Sequence, residues 1–408
     1  MATFTGPFDI CKVVAARDSS ADAKRIADYV CSGDGREDDQ VEINLALADL
    51  ASLGGQVIMA PGTYVLSAPI SVTANKRIQI TGYGATVLLA ASGTGILVSQ
   101  GVVGARGCVI EGLKIDGLGN PSTIGIELRD TNNATLIGLD IENCDQGLLV
   151  NSNAAGGFVE GTMLDDVLFR NCTNKSIAFQ IVSGTGSFAQ TVMHDLKVVV
   201  GGTGTGIYIP QNAILQRGWI QGTIWIGTNQ KAMFLDCNVE DSTLRIAIEG
   251  AGGSTGNTGL DVGANFLNMD QMGLHLLLTG VVNTAINNPN NKAFHYYPNA
   301  NFETIVQTQG TTFISYKRHG DSTDRLRFEG LTAGGRIQFG NGTLLDVNLY
   351  RNSAANQLKT DGFMLAALGL GVGNSAAASA LGTLSKKMEI FDAAGASLGF
   401  IPIYTTIT

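Results

Sequence analysis

Short apolar runs alternate with polar positions through the middle of the chain. They read Val109-Ile110-Glu111-Gly112-Leu113-Lys114-Ile115-Asp116, Thr135-Leu136-Ile137-Gly138-Leu139-Asp140-Ile141-Glu142, Met163-Leu164-Asp165-Asp166-Val167-Leu168-Phe169-Arg170 and Val192-Met193-His194-Asp195-Leu196-Lys197-Val198-Val199. Each is followed by a second apolar run: Gly125-Ile126-Glu127-Leu128, Gly147-Leu148-Leu149-Val150, Ser176-Ile177-Ala178-Phe179 and Gly206-Ile207-Tyr208-Ile209. A period of two predicts strands. The runs start roughly 25 to 30 residues apart, a spacing that marks solenoid repeats. Stretch 108–213 therefore predicts a stack of β-strand rungs.

The flanks extend the pattern unevenly. Gln40 to Leu50 reads as an amphipathic helix, with Val41, Leu45 and Ala48 on one face and Ile43, Leu47 and Leu50 beside it. Asp38 or Asp39 can cap its start and Gly54-Gly55 stops it. Gln56 to Leu66 reads as strand. Arg77 to Gly82 with Gly95 to Val98 fits an earlier rung, and Leu215 to Ile226 and Phe234 to Ile248 fit two later ones. A Gly-rich run at 250–264 breaks the pattern. Stretch 265–320 holds pieces such as Leu274-His275-Leu276-Leu277-Leu278 that the repeat does not place. Beyond it, Asp324 to Gly330 and Gly335 to Gly340 alternate as strands, and Lys387 to Asp392 with Leu398 to Tyr404 reads as a hairpin. The expected division is an N-terminal segment and helix at 1–55, a solenoid at 56–264, an unplaced β segment at 265–320 and a C-terminal β-rich module at 321–408.

Composition favours an all-β chain. Its 408 residues include 53 Gly, and charged residues are 15%. The net charge of −9 argues against nucleic acid or an anionic membrane surface as partner. The six cysteines show no metal-ligand spacing, and neither a metal nor a cofactor is expected. Cys144 and Cys172 each follow an Asn at the same place in consecutive repeats, which favours stacked, buried, reduced thiols over a disulfide. The first residues lack a basic start followed by an apolar core, so no signal peptide is expected. No window is long and apolar enough to span a bilayer.

Asp34-Gly35-Arg36-Glu37-Asp38-Asp39, then the helix, then the run from Gly54 to Val72 resembles the opening of the pectate-lyase-like right-handed parallel β-helix, in the form found in phage tailspikes and tail appendages. The run from Asp346 to Gly362 and the closing hairpin resemble a recurrent C-terminal module of phage tail and adhesion proteins. The resemblance covers roughly residues 15 to 100 and 335 to 408; between them the likeness is one of fold. It implies an all-β right-handed parallel β-helix with an N-terminal capping helix and a small C-terminal β-rich trimerisation module. It also implies a homotrimer in the virion tail, joined to other phage tail proteins through its N-terminus. The implied ligand is host cell-surface polysaccharide.

Strand alternation assigns faces. Leu113/Ile115, Leu139/Ile141, Val167/Phe169 and Leu196/Val198 are expected inside. One outward column is then Gln79, Lys114, Asp140, Leu168, Lys197, and the next is Thr81, Asp116, Glu142, Arg170, Val199. On the second sheet the outward column is Leu97, Glu127, Leu149, Ala178, Tyr208. Asp116, Asp140 and Glu142 thus share a patch as candidate catalytic carboxylates, because glycoside hydrolysis needs two and neighbouring carboxylates help keep one protonated. The alternative is a solvated ladder of ion pairs, Lys114 with Asp140 and Glu142 with Arg170. Lys114, Arg170, Glu127, Tyr208, Trp219 and Trp225 are the candidate glycan-binding residues. Asp165-Asp166 resembles a paired-acid motif, but alternation sends the two to opposite sides, and His194 is expected to be structural. The chain lacks the Asn-Thr-Asp and Gly-His-Gly of polygalacturonases, and its Asp/Arg set resembles that of pectate lyases only loosely. The expected function is a tail appendage that recognises host polysaccharide, with degradation by hydrolysis or elimination left open. The alternatives are a purely adhesive fibre and a secreted non-viral polysaccharide enzyme.

Overall fold

The computed structural model describes residues 11–31, 38–50, 54–72, 77–99, 107–153, 158–182, 184–270, 273–288, 312–316, 326–331, 334–340, 345–352, 357–360, 384–391 and 397–404. The chain divides into two compact units, Met1–Gln309 and Gly310–Thr408.

The first unit is a parallel β-solenoid of about eight turns. Three parallel sheets wrap its core. One has nine strands, running by rungs from Ile70–Val72 through Thr123–Arg129, Gln146–Ser152, Lys175–Ile181 and Thr205–Ile209 to Thr284–Asn287. A second has five short strands, Phe158–Glu160, Gly186–Ala189, Ala213–Gln216, Asn238–Glu240 and Leu267–Asp270. The third, the broad sheet, has sixteen strands and contains two ladders that merge.

The merger explains the one register expectation that the structure overturns. Three of the four long apolar runs in the sequence are two strands each, not one. Cys108–Glu111 is separate from Lys114–Asp116, and Thr135–Ile137 from Asp140–Glu142. Between them the backbone turns left-handed at Gly112 (φ 72°), Gly138 (φ 57°) and Asp166 (φ 50°). Gly carries no steric penalty there, and Asp tolerates it better than most residues. The corner sends the two halves into different ladders. Gln79 pairs with Val109, not with the Lys114 column, and Thr81 pairs with Glu111, not with the Asp116 column. Lys114 and Asp116 instead follow Thr86 and Leu88. The ladders join on Val192–Val200, which crosses the corner with a bulge between Met193 and Leu196. From there Trp219–Ile226, Thr243–Gly250 and Gly273–Gly280 stack as unbroken strands.

The inward columns are as expected. Leu113, Ile115, Leu139, Ile141, Val167, Phe169, Leu196 and Val198 are all buried, in one continuous apolar core. Gly95, Gly125 and Gly147 stack where the next rung's backbone approaches: a Cβ on Gly125 would lie 2.6 Å from the Gly147 carbonyl oxygen. The cysteines are free, and Cys31, Cys144, Cys172 and Cys237 are buried. Burial pushes the Cys172 thiol up to about 12, so it stays neutral and inert at neutral pH.

The helix Gln40–Leu50 packs on Cys11–Ala15, Gly55–Met59 and Ile70–Val72 at the N-terminal end of the stack. Its buried stripe is Ile43, Ala46, Leu47 and Leu50, while Val41 and Leu45 face outward. Gly54, in a left-handed conformation, donates its N–H to the Leu50 carbonyl at 2.7 Å and ends the helix.

The second unit contains an antiparallel five-stranded sheet from Thr312–Tyr316 to Gln357–Thr360. The hairpin read from the sequence is present: Leu384–Phe391 pairs antiparallel with Ser397–Tyr404. Most of the run Asp346 to Gly362 lies on strands of the five-stranded sheet; residues 353–356 and 361–362 are outside the described residues.

Candidate functional site

The broad sheet's outer face gathers most of the residues singled out from the sequence. Lys114 pairs with Asp140, Asp140 with Leu168 and Leu168 with Lys197. In the adjacent column Asp116 pairs with Glu142, Glu142 with Arg170, Arg170 with Val199, Val199 with Trp225 and Trp225 with Glu249. Adjacent rungs are about 4.8 Å apart, so Asp116, Asp140 and Glu142 are near neighbours, as the alignment requires.

Their oxygens are nevertheless already engaged. Lys114 Nζ lies 2.7 Å from Glu142 Oε1, and Arg170 Nη2 lies 3.0 Å from Glu142 Oε2. Arg170 also clamps Asp140 through both Nε and Nη2. Glu142 is more enclosed than Asp140, with its side chain 12% exposed against 31%. Asp116 takes the Leu118 N–H at 2.8 Å and the Asn143 amide at 3.1 Å. Arg170 meets Glu142 straight across, as expected, while the other pairs run diagonally between rungs: Lys114 reaches Glu142 rather than Asp140, and Arg170 reaches Asp140. The Glu142 hydrogen bond raises the Lys114 pKa, and the Asp140 hydrogen bond raises that of Arg170. Removing the charge both cations share, in Glu142→Gln, is expected to cost about 1–2 kcal/mol, between an exposed and a buried pair. A denaturant midpoint equal to the wild type's would show that this ladder contributes nothing to stability.

A second cluster lies at the corner where the ladders meet, and the sequence reading discounted it. Asp165 pairs with His194 on the next rung. Asp166 does not alternate inward. It occupies the left-handed corner, its side chain 64% exposed, and accepts from Lys197 Nζ at 2.8 Å. Asp195 (φ 47°) occupies the corresponding corner one rung on and lies 3.2 Å from the same ammonium. These contacts, Asp166 first, raise the Lys197 pKa. His194 is exposed and tilts 31° against the Trp219 ring at 6.4 Å. Two carboxylates are thus neutralised by one lysine, while Asp165 and His194 are register partners on adjacent rungs, beside the bulge. Bulges commonly re-aim side chains next to active sites. The signal in the sequence was that Asp166 and Asp195 align with Gly112 and Gly138, positions that call for a corner rather than a strand.

Trp219 and Trp225 both point outward from Trp219–Ile226. Trp219 is 39% exposed, and Trp225 donates its indole N–H to Glu249 at 2.7 Å. Arg245 stands exposed one rung beyond Gln221. Glu127 and Tyr208 lie on a different face, the outer side of the nine-stranded sheet. Glu127 is only 3% exposed there, held by Arg129 at 2.8 Å, Asn151 at 2.9 Å and Thr94 at 3.3 Å. Among the described residues, no group of three or more His, Cys, Asp or Glu side chains is arranged to hold a metal ion, and no helix is long and apolar enough to cross a membrane.

Comparison with curated proteins finds no match. Among solved structures, ORF18 of Geobacillus virus E2 is 13% identical with a TM-score of 0.34, over 93% of this chain and 85% of that one. The tailspike protein of Acinetobacter phage vB_ApiP_P1 is 11% identical with a TM-score of 0.32, over 92% and 84%. The A-module of mannuronan C-5 epimerase AlgE6 from Azotobacter vinelandii is 15% identical with a TM-score of 0.33, over 66% and 98%. The family that describes rhamnogalacturonase A and epimerase, pectate lyase-like, matches residues 24–253, which takes in the capping helix and nearly all the rungs. With more than half its length accounted for, and a parallel β-solenoid over that length, the chain belongs to this pectate-lyase-like family.

Proposed function

We propose that the chain is a tailspike-like phage tail appendage that binds host cell-surface polysaccharide along the outer face of the broad sheet. One observation carries the binding: two indoles stand out from a single strand, with charged columns on the rungs beside them. An extended polymer laid across rungs meets donors and acceptors repeated about every 4.8 Å. Indole rings supply apolar area with little conformational freedom to lose, and the Glu249 bond already fixes Trp225. Assembly as a homotrimer in the virion tail, attached to other tail proteins through the N-terminus, rests on the motif before the capping helix and on the closing hairpin.

The test is binding of the intact protein to glycans prepared from the host surface, with sedimentation on the same preparation to check for the trimer. Trp219→Ala and Trp225→Ala are each expected to weaken binding about tenfold, the scale of an interface anchor. Wild-type affinity in both variants would reject this face.

A second reading, depolymerisation, is favoured by the pairing of Asp165 with His194 at the bulge. A carboxylate and an imidazole one rung apart can divide the roles of proton donor and acceptor. Release of new reducing ends or unsaturated products from host polysaccharide separates this reading from pure adhesion.

A further inference from the structure

Buried hydroxyls in the solenoid are commonly bonded within the protein. Thr123 Oγ1 donates to the Asn120 carbonyl at 2.8 Å. Ser242 Oγ donates to the Glu240 carbonyl at 2.8 Å and accepts the Gly218 N–H at 2.9 Å. The hydroxyls of Thr131, Thr162 and Thr191 are exceptions. All three residues are at most 1% exposed, and none of these oxygens has a hydrogen-bond partner among the described residues. A buried hydroxyl without a partner is costly.

The three gather at one corner of the wall, between the solenoid's five short strands and the broad sheet. Thr162 follows Gly161 (φ 66°) and Thr191 follows Gln190 (φ 52°), both left-handed. Met163 is the register partner of Val192, and the Val192 N–H donates to the Thr162 carbonyl at 2.8 Å. Thr162 and Thr191 therefore stack on adjacent rungs. One rung before them the column holds Ala134, whose carbonyl accepts the Met163 N–H at 2.8 Å. Thr131 is on that same rung, where its carbonyl accepts the Glu160 N–H at 3.2 Å. One rung beyond Thr191 the column holds Gly218, and after it Ser242.

We propose that this corner binds internal water, with one molecule bridging the hydroxyls of Thr162 and Thr191 and a second joining Thr131 to Thr162 beside the Ala134 methyl. Hydroxyls one rung apart, at about 4.8 Å, are too distant to bond each other. Two bonds of about 2.8 Å span that gap at an angle of roughly 120°, close to what water's own geometry prefers. Ala134 carries only a methyl where the next two rungs carry threonine, which leaves space on its side of Thr162. The carbonyls of Ala134, Thr162 and Thr191 each accept one N–H and keep a second lone pair for a third bond to the water. Neutral hydroxyls suit a neutral ligand, and apolar cavities, by contrast, stay dry. The inference stands apart from the polysaccharide reading. It concerns the interior beneath Met163–Asp165 and Val192–Val200, the strands that carry Asp165 and His194.

The test is a crystal structure of the intact protein at a resolution that orders solvent, with chemical denaturation of Thr162→Val and Thr191→Val. Two isolated solvent peaks within hydrogen-bond distance of the named hydroxyls are expected. The bridging peak should be lost in either variant. Valine keeps the shape of threonine and removes only the hydroxyl, so the sign of the stability change separates a wet corner from a dry one. Where water bridges, valine takes away one of its partners and the denaturant midpoint falls. At a dry corner, valine removes an unbonded polar atom and the midpoint rises. Absence of solvent density at this corner in the wild type, or a midpoint at or above the wild type's in both variants, overturns the site. If a variant does not fold, the wild-type density alone decides.

Discussion

Phe169→Ala is expected to lower the unfolding free energy of the solenoid by about 3–5 kcal/mol, the range for deleting a buried aromatic side chain. Phe169 is fully buried between Ile141 and Val198, its partners on the rungs to either side. Its ring also fills the room left by a missing side chain across the core. A Cβ on Gly147 would lie 2.5 Å from the Phe169 ring. The truncated variant therefore leaves a void that the neighbouring glycine cannot fill, and backbone hydrogen bonds to adjacent rungs resist collapse around it. Each rung is held mainly by its neighbours, so the loss falls on one place in the stack. Chemical denaturation reads the effect. A loss under about 1 kcal/mol would show that the rungs relax far more freely than a close-packed core should.

The other large effect concerns chemistry. If the protein depolymerises its glycan, Asp165→Asn and His194→Gln should each slow the release of new chain ends by about 10²- to 10⁴-fold, the usual contribution of a positioned acid or base. The corner distributes charge unevenly. Lys197 holds Asp166 and Asp195, whereas half-buried Asp165 has no ion pair among the described residues and its register partner His194 is exposed. Hydrolysis needs one group to protonate the departing oxygen and another to take a proton from water, and a pair on adjacent rungs can flank one bond. Trp219, beside His194, gives the sugar next to that bond an apolar wall. Reducing-end assays on wild type and variants, with binding measured in parallel, decide the matter. Wild-type rates in both variants would remove this cluster from the chemistry.

Much of the fold could be read from residues because the physics is local and repeated. Ile115, Ile141, Phe169 and Val198 fall in one buried column whether or not the bend before them is recognised, since side-chain alternation within each short strand is unaffected by it. The same holds for the column Leu97, Glu127, Leu149, Ala178, Tyr208, whose partners are as aligned. The bend itself was hidden. Gly112 and Gly138 fit a strand pattern in apolar content, and a left-handed residue leaves no mark on hydropathy. Missing it displaced Gln79 and Thr81 into the wrong ladder and made Asp165-Asp166 look like an alternating pair. The five-stranded sheet was hidden for a different reason. Its strands, such as Gly186–Ala189 and Ala213–Gln216, are too short to show a period and are identified only by their partners. Leu274 to Leu278 lies on a longer strand, but its consecutive leucines do not alternate, and only its partner Thr243–Gly250 places it. Side-chain pairing was legible in kind but not in detail. Acids and bases on neighbouring rungs were bound to meet, but whether Lys114 reaches straight across or diagonally depends on rotamers that spacing does not specify.

The corner also gives the outer surface a direction. Through the early rungs the two ladders meet at a corner, marked by Gly112, Gly138 and Asp166; beyond Val192–Val200 the strands run unbroken. A polymer lying along the axis would pass the charged rungs of Lys114 and Arg170 before reaching the indole of Trp225. If a sugar chain binds this face, turning it end for end would reverse that order.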